Sequence, residues 1–184
     1  MMSYPAVARH ILFLRGINLG SRNRIAMPEL REILAAAGFD DVRTYLQSGN
    51  VVVASKARSD DVARKTERLI AAHFGLDIAV VVRTRAQLAK IVERNPLQRL
   101  AKNPKRYQVS FLDSKPRRDV IERVEAAAEP PEQVVAIGRE IYAWHPETIA
   151  RSRLWTLLAG QKLGVVATAR NWTTVTSLLG LADD

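Results

Sequence analysis

The stretch Val42–Ala54, VRTYLQSGNVVVA, decides the fold. Two runs rich in β-branched residues, Val42–Gln47 and Val51–Ala54, flank Ser48-Gly49-Asn50. Glycine and asparagine tolerate positive φ, so the pattern predicts a β-hairpin. Working upstream, Leu30, Ile33, Leu34 and Ala37 recur at helical spacing after Pro28, which suits a first helical turn, and Gly38 ends the run. Before that helix lies the loop Gly16–Arg24, GINLGSRNR, and before the loop a short apolar strand within Arg9–Arg15. Downstream, Asp60 and Asp61 open a second amphipathic helix that closes at Gly75, and Ile78–Val82 reads as a fourth strand. A helix from about Arg85 to Arg94 follows, ended by Pro96. The order is βαββαβ plus a trailing helix.

The rest of the chain repeats that order. Tyr107–Leu112 is a strand and Arg118–Ala128 a helix. Gln133–Ile137 and Ile141–Trp144 form a second hairpin around Gly138-Arg139-Glu140. Ser152–Lys162 is helical, Val165–Ala169 is the last strand, and Thr173–Leu181 the last helix, with Asn171 as its cap. The expected fold class is therefore α+β, a tandem of two ferredoxin-like (α/β plait) units, each followed by an extra helix. The segment Asn95–Arg106, NPLQRLAKNPKR, reads as the linker. It divides a basic N-terminal unit, residues 1–97, from a C-terminal unit, residues 98–184, and the two are expected to pack together.

Composition narrows the chemistry. Hydrophobic residues at 47% supply a real core, and charged residues at 26% suit a globular surface. The 184 residues contain no cysteine, which removes disulfides, thiolate metal sites and cysteine nucleophiles. The opening run MMSYPAVARHILFLRG is too short and too charged for a signal peptide, and no stretch reaches the roughly 20 apolar residues of a membrane span. The expected location is the cytoplasm, with no membrane partner. The three histidines, His10, His73 and His145, make no metal spacing, and no Ser-His-acid, HExxH, P-loop or dinucleotide motif occurs. No metal and no cofactor are expected.

Net charge is +9. Residues 1–100 hold 16 Lys or Arg against 9 acids, whereas residues 101–184 hold 12 against 10. Counted this way the excess is N-terminal, which invites a nucleic-acid reading. Arginine also outnumbers lysine 21 to 7, as in a chain from a GC-rich genome, and that bias adds surface charge with no partner behind it.

Four blocks carry a family resemblance: LRGINLG (Leu14–Gly20), PELREILAAAGF (Pro28–Phe39), VRTYLQSGN (Val42–Asn50) and TARNWTTVTSLL (Thr168–Leu179). Together they resemble the bacterial domain-of-unknown-function family 1697. The resemblance implies a tandem of α/β plaits and brings no activity, substrate or catalytic residue.

Candidate ligand-binding residues come from the residue chemistry alone. In the Gly16–Arg24 loop, Asn18 offers hydrogen bonds and Arg22 and Arg24 offer charge, although a plain crossover loop also needs such residues. Strand parity places Arg15, Arg43, Tyr45 and Gln47 on the face opposite Leu12 and Leu14. Arginine and aromatic side chains on an open plait sheet stack RNA bases, but the RNP1 pattern is missing and the third strand is a plain VVVA. The other reading buries that face against the second unit. Asn50 in the hairpin, with Arg170 and Asn171 after the last strand, completes the set.

Two functions follow. One is a non-enzymatic binding protein for a nucleic acid, a nucleotide or another anionic ligand, using the N-terminal unit. The other is a small-molecule enzyme or sensor with its site in the cleft between the units, lined by Arg15, Asn18, Tyr45, Gln47, Asn50 and Arg170. The oligomeric state is open between monomer and homodimer.

Overall fold

A computed structural model describes residues 6–184; the first five residues of the opening run lie outside the described residues. Among the described residues the fold is α+β, with two four-stranded antiparallel sheets and six α-helices. The first βαββαβ segment comprises β1 (Ala8–Leu14), α1 (Met27–Ala36), β2 (Asp40–Tyr45), β3 (Asn50–Ser55), α2 (Ser59–Phe74) and β4 (Val80–Thr84). Helix α3 (Arg85–Arg94) follows. The second comprises β5 (Tyr107–Leu112), α4 (Arg118–Ala127), β6 (Gln133–Ile137), β7 (Glu140–Trp144), α5 (Arg153–Ala159) and β8 (Ala167–Asn171), trailed by α6 (Trp172–Asp183). A single 3-10 turn, Ile149–Arg151, precedes α5. The sheets are ordered β2-β3-β1-β4 and β6-β7-β5-β8, with the first strand of each set central.

Alternation along β1 explains the first core. Leu12 and Leu14 pack with Val51, Val53, Val80 and Val82 beneath Leu30 and Leu34 of α1 and Val62 and Ile70 of α2. The helices therefore cover the Leu12/Leu14 side. On the opposite face, Ile11, Phe13, Val52 and Val81 are also fully buried. In the second sheet, Leu112, Ile141 and Ala143 pack with Val120 and Val124 of α4 and Leu154 and Leu158 of α5.

Two strands lie two residues downstream of their apolar runs. The run Ile78–Val82 predicts the fourth strand, but β4 pairs with β1 from Leu14↔Val80 to His10↔Thr84. Likewise β8 pairs with β5 from Leu112↔Ala167 to Gln108↔Asn171, not along Val165–Ala169. Ile78 is buried in the core without joining the ladder. Hydrophobicity marks burial, whereas register marks the strand. The shift brings Arg83 and Arg170 inside their strands, each the fourth of five residues, and both are buried. The next residue caps the following helix in both halves. Gln87 N donates to Thr84 Oγ1 at 3.1 Å, with Thr84 N donating back to Gln87 Oε1 at 2.9 Å. Thr174 N donates to Asn171 Oδ1 at 2.9 Å. The helix expected over Ser152–Lys162 is shorter, ending at Ala159 before Gly160.

The chain divides into two compact units, Met1–Ala89 with Leu178–Asp184, and Lys90–Ser177. The end of α6 is held in the first unit, where Arg85 Nε pairs with Asp183 Oδ1 at 2.5 Å. Charge sorts differently by unit than by sequence position. Unit 1 holds 13 basic and 10 acidic residues, net +3, and unit 2 holds 15 and 9, net +6. Lys90, Arg94 and Arg99 count with unit 2, and Asp183 and Asp184 with unit 1.

Candidate functional site

In unit 1 the Gly16–Arg24 loop and the β2–β3 hairpin are knitted together. Asn18, at φ 52°, donates from Nδ2 to Gln47 O at 2.7 Å and to Ile25 O at 3.0 Å, and its Oδ1 accepts from Ile25 N at 2.9 Å. Asn23 Nδ2 donates to Gly16 O at 2.9 Å, and Arg24 donates to Gly20 O at 2.9 Å. Across the seam, Leu14 N donates to Gly49 O at 2.9 Å. A Cβ on Gly49, at φ 85°, would lie 2.8 Å from Ile17 Cδ1 and Leu14 Cβ, so only glycine fits. Asn50, fully buried, donates to Tyr45 O at 2.8 Å and to Ser48 Oγ at 3.1 Å.

These side chains supply partners to backbone groups that no regular ladder serves in the loop and hairpin. Arg43 is also engaged, forking onto Asp41 at 3.0 and 3.1 Å and reaching Leu181 O at 3.4 Å. The Arg9 and Arg43 guanidiniums hold the Asp41 carboxyl below the usual carboxylate range. Arg22 and Gln47 are exposed, and Arg15 and Tyr45 half-buried. Arg170, in unit 2, donates to Thr168 Oγ1 at 2.7 Å and to Ala169 O at 2.8 Å, and burial lowers its pKa to about 10. Asn171 is the cap described above. The structure thus brings Asn18, Gln47 and Asn50 together in one knot, while Arg170 and Asn171 belong to the β8–α6 junction.

A different place has the form of a ligand site. In unit 2 an open pocket of about 800 Å³ lies between α4 and the segment from the 3-10 turn through α5 to Lys162. Arg123, Arg151, Arg153 and Lys162 line it, and no carboxylate or aromatic ring does. Its apolar surface comes from Ala126, Ala127, Ala150 and Leu157. Arg123 is positioned by a 2.9 Å hydrogen bond to Lys162 O, and Arg153 lies 3.5 Å from Glu129.

One wall is set by a partly buried polar chain. Ser152 caps α5 by accepting from Trp155 N at 3.0 Å, and its hydroxyl donates to Glu132. His145, 1% exposed, gives its Nδ1 hydrogen to the same Glu132 oxygen at 2.8 Å and meets Trp155 edge-on. Burial pushes the Glu132 carboxyl up, but the bonds from Ser152, His145 and the Glu129 backbone outweigh it and leave it below its ordinary value. His145 Nε2 is buried and makes no hydrogen bond among the described residues. Among the described residues no group of three or more His, Cys, Asp or Glu could hold a metal ion.

Sequence reading missed the four pocket cations because they come from positions up to 39 residues apart, as Arg123 and Lys162 do. The nearest local signal is Arg151-Ser152-Arg153, two cations around a helix cap.

The family described as Protein of unknown function (DUF1697) matches residues 7–142. The chain belongs to that family. Three of the four blocks that carry the resemblance lie inside the DUF1697 match, and Thr168–Leu179 lies beyond it. A similar solved structure is that of the conserved bacterial protein SP0830 from Streptococcus pneumoniae. It is 23% identical, with a TM-score of 0.80 over 96% of this chain and 99% of that one. At that identity the likeness establishes the shared fold. No curated protein matches the chain.

Proposed function

We propose that this DUF1697 protein is a cytoplasmic, non-enzymatic binding protein for an anionic ligand, and that its site is the basic pocket of unit 2. In fold it is a tandem of ferredoxin-like plaits, since each βαββαβ segment builds an antiparallel sheet with its first strand central. One observation carries the functional reading. Four cations line an 800 Å³ pocket that no carboxylate lines, in the unit that carries net +6. That size suits a small molecule. Ser152 donates its hydroxyl hydrogen to Glu132 and accepts from Trp155 N, so in this reading it is a capping residue of the pocket wall.

Isothermal titration of the full chain with inorganic phosphate, inorganic diphosphate, citrate and a short single-stranded RNA tests this at low and moderate salt. Saturable binding of a small anion, weakened by Arg151→Ala, is the expected result. A steep salt slope with RNA alone would instead favour a nucleic-acid surface outside the pocket. Failure of every anion at low salt would sink the reading.

A further inference from the structure

Resting on the anion-pocket reading above, we infer that the ligand class of this pocket is an organic diphosphate with an aliphatic body. Charge matching gives the head group. Arg123, Arg151, Arg153 and Lys162 supply four positive charges, and Glu129, 3.5 Å from Arg153, offsets one. A phosphomonoester carries about −1.5 to −2 at neutral pH and leaves a cation unmatched, whereas a diphosphate ester carries about −3. Three of the cations are arginines, whose planar forks suit paired phosphate oxygens.

The wall chemistry gives the body. A nucleobase asks for a planar group to stack on, a ring or a guanidinium not spent on phosphate, or for free amide, hydroxyl or carboxylate groups to read its edge. The charge count above commits the guanidiniums to the phosphates. None of the lining residues is aromatic, acidic or an amide. The two lining hydroxyls are already committed: Ser152 to Glu132 and Trp155 N, and Thr156 Oγ1 to Ser152 O at 3.0 Å. What remains is Ala126, Ala127, Ala150 and Leu157, a surface that rewards burial of methylene and methyl groups. The pocket is also built in advance, since the Glu132 chain fixes the start of α5 and Lys162 O holds Arg123.

Titration calorimetry of the full chain with geranyl diphosphate, geranyl monophosphate, inorganic diphosphate and ADP tests the class. Geranyl diphosphate is expected to bind at least tenfold more tightly than each of the other three. Arg151→Ala should weaken it about tenfold, and so should Ala126→Glu, which places a carboxylate on the exposed face of α4. Both sites are exposed, and an unchanged melting temperature confirms that each variant is folded. If ADP or the monophosphate binds as tightly as geranyl diphosphate, and Arg151→Ala still weakens it, the diphosphate class is wrong and the anion pocket stands. If binding ignores both substitutions, or no probe binds saturably, the inference and the pocket fall together.

Discussion

In the Gly16–Arg24 loop, Asn18, Asn23 and Arg24 turn onto backbone carbonyls; beside α5, Arg151 and Arg153 stand exposed at a pocket rim. The first region looks like a ligand loop in sequence because glycine, asparagine and arginine serve ligands and awkward backbones equally well. Here the backbone takes them. A loop with positive φ at Asn18, Asn23, Gly16 and Gly20 leaves carbonyls that no regular ladder satisfies, and side-chain amides fill the gap. The second region has no distinctive sequence, yet two helices and a turn set its cations around one volume. Polar residues in a loop are evidence for a site only after the loop's own hydrogen bonds are accounted for.

Gly49→Ala tests how tightly the first region is built, and the largest stability effect is expected there. The new Cβ meets Ile17 and Leu14 at 2.8 Å and holds a left-handed backbone, so a loss of about 2–4 kcal/mol is expected from urea unfolding. A loss below about 1 kcal/mol would mean the hairpin seam is loose. Asn18→Ala comes next. It deletes one acceptor and two donated bonds, leaving Gln47 O and Ile25 N without that partner, at a cost of about 2 kcal/mol.

Acid separates the two units through different groups. Burial lowers the pKa of His10 in unit 1, and Glu132 in unit 2 is also held low. For both, the unfolded chain takes up the proton first, so stability falls as pH drops, from about 6.5 for His10 and about 4.5 for Glu132. Stability measured from pH 8 to pH 3 should therefore decline in two stages. His10→Gln should remove the upper stage and Glu132→Gln shrink the lower, to which the Asp41 carboxyl, held low by Arg9 and Arg43, also contributes; a profile that ignores both variants would contradict the assignment. The smallest stability effects belong to Arg22→Ala and Arg151→Ala, both exposed, at less than about 0.5 kcal/mol each. They should part on anion affinity. Arg22→Ala leaves it unchanged and Arg151→Ala weakens it, and equal effects would erase the contrast between the two regions.

The sequence by itself determined the order of elements, both hairpins, the alternation that puts Leu12 and Leu14 on one side of β1, and the cap at Asn171. Those features rest on turn chemistry, capping and alternation, which act within a few residues and are written locally. Tertiary structure decided the rest. The ends of β4 and β8 follow from pairing with central strands, which is why Arg83 and Arg170 are buried strand residues and not loop charges. The boundary at Lys90, together with the assignment of Leu178–Asp184 to unit 1, moves the larger charge excess to unit 2. The pocket needs α4 and α5 side by side before Arg123 and Lys162 can meet. Register, unit membership and cavity shape depend on residues tens of positions apart, and no local pattern in the chain records which of them will be neighbours.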